Sequence, residues 1–129
     1  MPLPSSAGIL EKAVLIEQYA KEIGFYWSAV EQIIQHIQKA CHDVNQAATS
    51  NLFRDKIVDE IGDLLHASIS LGLYYGVEPQ EALEAHYRKF ERQLQEVIHL
   101  AKQEGCSDLK QETDQYKLDL WTKAKKEAG

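Results

Sequence analysis

The residues best suited to chemistry lie in the stretch DEIGDLL, residues 59–65. Glu60 and Asp63 are spaced so that a helix places both carboxylates on one side, about one turn apart. The surrounding segment is apolar over more than one face, so we expect it to be largely enclosed. An enclosed carboxylate must become protonated, pair with a cation or bind a metal. Because no Lys or Arg follows these acids before Tyr75, a metal site is a candidate.

Helices must position these residues, because apolar side chains recur at helical spacing and no run shows the strict alternation of a half-buried strand. The predicted fold class is all-α, a bundle of four helices with an additional helical tail at the C-terminus. Polar turns, glycines and a proline separate the segments. The predicted helices run from Ser6 to before Gly24, from Ser28 to about Ala48, from about Leu52 to Tyr75, from Pro79 to before Gly105, and from about Asp108 to Lys126.

Two local patterns refine this organisation. Ser28 and Glu31 form an S-x-x-E pattern, which predicts a capping box at the start of the second helix. We assign residues 1–105 to one helical domain and residues 106–129 to a charged tail. The only large apolar anchors of the tail are Tyr116, Leu120 and Trp121, and packing of this tail on a partner is one interpretation.

The second and third helices would bring further residues to face Glu60 and Asp63. In an antiparallel hairpin with its turn between the two helices, Asp43 lies level with Glu60, and Ala40 lies level with Asp63. Oxygen ligands in such an arrangement suit Mg²⁺ or Mn²⁺ better than Zn²⁺. A solvated acidic stripe near a helix N-terminus would explain the same residues, so both interpretations remain open.

Composition limits the classes of partner. The chain has 129 residues and a formal net charge of −6, which disfavours non-specific binding to nucleic acid or anionic membranes. No apolar run is long enough for a membrane span, and the first residues do not resemble a signal peptide, so we expect a cytoplasmic protein. The two cysteines form no C-x-x-C. The apolar surface of the third helix predicts a homodimer or a higher homo-oligomer.

Four ordered motifs resemble those of the MazG-type nucleoside triphosphate pyrophosphohydrolases, which are all-α proteins. They are GFYW at residues 24–27, DEIGDLL at 59–65, GVEPQEAL at 76–83 and RKFERQL at 88–94. The resemblance runs from about Leu10 to Ile98 and leaves out the tail. It implies hydrolysis of nucleoside triphosphates to a monophosphate and pyrophosphate, with Mg²⁺ or Mn²⁺ as cofactor.

The resemblance also implies roles for particular residues. Family members hold the metal with E-x-x-E on one helix and E-x-x-D on the next, and the second motif is intact here as Glu60 and Asp63. The first motif falls on Ala40 and Asp43, so one ligand is missing, and Lys39 replaces an acid that usually precedes it. The predicted metal ligands are Asp43, Glu60 and Asp63. The predicted substrate contacts are Lys89 and Arg92 to phosphate and Trp27 near the base, whereas Tyr87 departs from a family Asn.

Several interpretations stay open at this stage. Catalytic residues beyond the metal ligands are not identified. A catalytically impaired nucleotide-binding or regulatory module is the alternative to an active enzyme, and a structural adaptor is a further one. His36 could complete a metal site, and His66 could reach the same cavity or donate to a carboxylate, although a structural role is typical of helical histidines.

Overall fold

Helices account for all the regular secondary structure that the computed structural model describes, which covers residues 6–49 and 54–129. The all-α prediction is confirmed. The sequence predicts a polar turn at TSN, residues 49–51, and a start of the third helix at about Leu52. Both fall largely in residues 50–53, outside the described residues. The helices are α1 (Ile9–Glu22), α2 (Val30–Thr49), α3 (Arg54–Tyr74), α4 (Pro79–Gln103) and α5 (Asp114–Ala128).

Glycines end three of these helices, as the sequence predicts. Gly24, Gly76 and Gly105 have φ values of +88°, +73° and +77°, a region in which glycine is favoured because it lacks a Cβ. After α3, the backbone N–H of Val77 donates to the carbonyl of Gly72, and that of Gly76 to Leu73. This pattern closes the helix by using carbonyls that would otherwise lack a partner.

The start of α2 differs from the predicted capping box. The backbone N–H and the hydroxyl of Ser28 both donate to Oε1 of Gln32, at 3.1 Å each, and Glu31 does not take this role. The reason is the helix register: α2 begins at Val30, so Gln32 occupies the third helical position, whose side chain reaches back to the preceding loop.

Residues 1–81 form one compact unit, which contains α1, α2 and α3. The buried residues of α2 and α3 are mostly small. Small side chains let two helix backbones approach closely, and the seven-residue spacing on α2 keeps its buried positions on one face. The buried residues are Ile33, Ala40 and Ala47 on α2 and Ala67 and Ser70 on α3.

Residues 82–129 form a second compact unit, made of most of α4 together with α5. Its core contains Val97, Ala101, Leu120 and Ala124, and the half-buried Tyr116 and Trp121 pack against it. The anchors of the predicted tail are therefore used within this chain. The predicted domain boundary at residue 105 rests on the extent of the motifs and stays a prediction.

Two polar contacts attach α5 within the second unit. The side chain of Thr113 accepts from the backbone N–H of Tyr116 at 3.1 Å, which caps the helix. The Tyr116 hydroxyl donates to Oε2 of Glu104 at 2.5 Å, and this bond to a carboxylate raises the pKa of Tyr116 to about 12. None of the helices in the described ranges is long and apolar enough to cross a membrane.

Leu120 and Leu118 provide a matched test of the α4–α5 core. Leu120 is 2% exposed and Leu118 is 56% exposed, although both lie on α5. We expect Leu120→Ala to lower the free energy of unfolding by about 2–5 kcal/mol, because it removes buried methyl groups and leaves a cavity. Leu118→Ala should change it by less than about 0.5 kcal/mol. Urea denaturation followed by circular dichroism measures both, and equal losses would contradict this packing.

Candidate functional site

Each predicted carboxylate ligand contacts a basic side chain of the same chain. On α3, Oε1 of Glu60 lies 2.6 Å from Nζ of Lys56, one turn earlier. On α2, Oδ2 of Asp43 lies 2.8 Å from Nζ of Lys39.

Asp63 is paired across the two helices. Its Oδ1 lies 3.2 Å from Nε2 of His36 on α2. The side chain that reaches Asp63 from α2 is therefore that of His36, one turn before Ala40. Ala40 itself is 1% exposed, so a buried methyl group occupies the position of the first motif that lacks a carboxylate.

The charges at this contact influence one another. The hydrogen bond from Lys39 lowers the pKa of Asp43, and the same bond raises the pKa of Lys39. The hydrogen bond to Glu60 raises the pKa of Lys56. Glu60 and Asp63 also raise the pKa of Lys39 by smaller amounts, so this ammonium group lies in the field of carboxylates on both helices.

The chemistry of the donors suits a hard divalent cation, because all three predicted ligands offer carboxylate oxygens. Their present arrangement is a network of ion pairs. Within residues 6–49 and 54–129, no three His, Cys, Asp or Glu side chains are grouped closely enough to hold a metal ion. A metal at Asp43, Glu60 and Asp63 stays a prediction, and its binding would have to displace Lys39, Lys56 and His36.

The first unit also contains a cavity of about 470 Å³. The aromatic side chains of Tyr26, Trp27 and Tyr74 line it. Trp27 also packs against His36, with 5.6 Å between the ring centroids, and His36 in turn contacts Asp63. The predicted base-binding residue Trp27 therefore lies in a concave site that is linked to one predicted metal ligand through a single side chain.

Glu17 on α1 is a polar residue of this cavity that the sequence interpretation missed. Its Oε1 accepts a hydrogen bond from the Ser70 hydroxyl at 2.8 Å and lies 2.5 Å from Nε2 of His66. His66 therefore contacts a carboxylate on α1, and the alternative that places it with Asp63 is not seen. A signal was present: Glu17 follows Ala13 by one turn on the apolar stripe of α1, where a charged residue is unexpected.

The remaining predicted substrate contacts lie on α4 in the second unit. Lys89 and Arg92 are both exposed, and Nη1 of Arg92 lies 3.4 Å from the carbonyl oxygen of Arg88 within the same helix. Tyr87 is 59% exposed and packs edge-on against Phe90, with centroids 6.4 Å apart. Phosphate contacts by Lys89 and Arg92 stay a prediction.

Sequence comparison finds curated relatives for most of the chain. The nucleoside triphosphate pyrophosphohydrolase of Escherichia coli K12 is 28% identical over 107 residues, which cover 80% of this chain and 40% of the relative. The nucleoside triphosphate pyrophosphohydrolase/pyrophosphatase MazG of Thermotoga maritima is 28% identical over 117 residues, 90% of this chain and 44% of the relative. No protein-family model matches. The chain thus spans about two fifths of the length of these relatives. It is related to the MazG-type nucleoside triphosphate pyrophosphohydrolases, as its motifs predicted.

Proposed function

We propose that this chain is a MazG-like nucleotide pyrophosphohydrolase, which cleaves nucleoside triphosphates to a monophosphate and pyrophosphate with a divalent metal ion. The observation that carries the proposal is that Asp43, Glu60 and Asp63 all act on one ammonium group, that of Lys39, at the contact of α2 with α3, while His36 links Asp63 to Trp27 in an aromatic cavity. The names of the relatives support the same reaction.

Glu60 and Asp63 are the residues that would hold the ion, with Asp43 as a third oxygen donor. Mg²⁺ or Mn²⁺ in this place supplies charge neutralisation for the triphosphate and Lewis acidity. The protein contributes position: His36 fixes the orientation of the Asp63 carboxylate, and Trp27 packs on the other side of His36. Lys89 and Arg92 on α4 are the cations proposed to contact phosphate.

A second candidate function is a nucleotide-binding or regulatory module with impaired catalysis. Two observations favour it. Ala40 is buried where the family motif has a carboxylate, and Lys39 already satisfies Asp43 at 2.8 Å. Because Mg²⁺ holds octahedral geometry strictly, the loss of one ligand weakens the site and misplaces any second ion.

The proposed partners are a nucleoside triphosphate and further copies of this chain, in the cytoplasm, without nucleic acid or membrane. Self-association is supported by apolar side chains that the single chain leaves exposed on α3. Val58 is 53% exposed, Ile61 is 41% exposed and Leu65 is 60% exposed. They recur at a helical spacing that gives one continuous stripe, which suits a homodimer.

Neighbouring acids allow a matched test of hydrolysis. Glu60 faces the α2 contact and its side chain is 13% exposed, whereas Asp59 is an exposed residue about 100° away around the helix. We expect pyrophosphate release with Mg²⁺ or Mn²⁺ to fall at least about tenfold in Glu60→Gln and to stay near wild type in Asp59→Asn. A chelator should abolish it.

Absence of turnover in the wild-type chain would contradict the enzymatic proposal. Calorimetric titration with a triphosphate and metal then decides on the second candidate, because binding without hydrolysis is its expected result. Equal loss in the two variants would show that Glu60 has no special role.

Placing a carboxylate at position 40, where the family motif has one, tests the role of Ala40. We expect Ala40→Glu to be less stable than wild type without metal, because it buries a charge at the α2–α3 contact. Mn²⁺ should raise its unfolding temperature more than that of wild type, and turnover should increase. Ala47→Glu is the control: Ala47 is 2% exposed on the same helix but lies two turns further on. A similar Mn²⁺ response in both variants would contradict a metal-ligand role for a carboxylate at position 40.

The exposed stripe on α3 predicts the oligomeric state. We expect wild-type protein to be at least dimeric by multi-angle light scattering. Leu65→Lys should shift it to monomer, because an ammonium group is costly in an apolar interface. Leu118→Lys on α5 makes the same change at a residue that is 56% exposed, and it should leave the mass unchanged. A monomeric wild-type protein would overturn the proposal.

A further inference from the structure

We propose that the cavity beside Trp27 binds the base of the nucleotide and that Glu17 makes it selective for guanine. This rests on the proposed function only in that the ligand is a nucleotide. The inference depends on Glu17, a residue that none of the motifs includes, and on the two side chains that hold it in place.

The cavity has the size and the walls that a planar heteroaromatic ring requires. Its volume of about 470 Å³ falls in the range of small-molecule sites. Tyr26, Trp27 and Tyr74 present aromatic surface on which a base can stack. Trp27 is linked through His36 to Asp63, so a base stacked on Trp27 lies two side-chain contacts from one of the predicted metal ligands.

Glu17 is a carboxylate of this cavity whose position is fixed by hydrogen bonds. Its side chain is 23% exposed, and its Oε1 is held by the Ser70 hydroxyl and by His66. Ser70 is itself 3% exposed, so this part of the site is anchored in the packing of α1 on α3. An ionised carboxylate has about four acceptor positions, and the two contacts both use Oε1, which leaves capacity to accept from a ligand.

Guanine is the base that matches a carboxylate acceptor. Its Watson–Crick edge carries the N1–H and the N2 amino group side by side, and the remaining acceptor positions, those of Oε2, can accept from both. Adenine and cytosine each place a ring nitrogen acceptor next to their amino group, and this nitrogen is repelled by a carboxylate. Uracil and thymine flank their single N–H with two carbonyl oxygens. Lys21 also lines the cavity and supplies a donor of the kind that guanine O6 accepts.

The test compares nucleoside monophosphates that differ only in the base. Isothermal titration of the full chain with GMP, IMP, AMP, CMP and UMP, without divalent metal, isolates base recognition because the phosphate is common to all. We expect GMP to bind about tenfold or more tightly than AMP, CMP and UMP, with IMP between them because it lacks the N2 amino group.

The variant Glu17→Gln should remove this preference by reducing GMP affinity about tenfold, while AMP affinity changes little. The control Glu11→Gln alters an exposed carboxylate of α1 outside the cavity and should leave all affinities unchanged. Circular dichroism checks that the helices persist. The ranking of the wild-type protein tests the inference even where Glu17→Gln fails to fold.

The outcomes separate this inference from the proposed function. Equal binding of the five monophosphates, tighter binding of another base, or no binding would overturn the inference, even if the chain releases pyrophosphate from triphosphates. Selective GMP binding in a chain without turnover would support the inference and contradict the enzymatic proposal.

Discussion

The need to neutralise negative charge at a close helix contact governs the site of this protein. α2 and α3 approach each other over small buried residues, among them Ala40 and Ala67, and the acids of the site are only partly exposed, with side-chain values from 13% to 42%. Acids placed beside such a contact require a cation nearby. Here Lys39 and Lys56 provide it for Asp43 and Glu60, and Asp63 contacts the ring of His36. One divalent ion would neutralise the same carboxylates. The same residues can therefore form either an ion-pair network or a metal site.

The sequence predicts the helices well because their signals are local. Periodic apolar residues define each helix, and glycine with positive φ ends it within one turn, as at Gly76. The start of α2 was less well predicted, since a helix that begins one residue later than the Ser28–Glu31 capping box implies moves the capping role from Glu31 to Gln32. Such shifts are decided by how the preceding loop packs, which a local pattern does not contain.

The partners of the acids were harder to predict from the sequence than the acids themselves. No Lys or Arg follows Asp63 before Tyr75, but Lys56 precedes Glu60 by one turn and pairs with it along the same helix. The contact of His36 with Asp63 depends on the relative rotation and register of two helices, so residue spacing alone gives candidates but no partner. Glu17 shows the same limit more clearly, because its contacts with His66 and Ser70 join residues far apart in the chain.

Ala40 and Lys39 act together on the balance between ion pairs and a metal. Against the family motif, one position loses a carboxylate and its neighbour replaces an acid with an ammonium group, so both changes make the α2 side of the contact less negative. The buried methyl of Ala40 also lets α3 pack closely, and Lys39 lies in the field of Glu60 and Asp63 as well as bonding to Asp43. The demand for an external cation is therefore lower here than in the intact motif. Of the three carboxylates, Asp63 is the one that contacts His36 rather than a lysine, and His36 links it to Trp27 in the aromatic cavity.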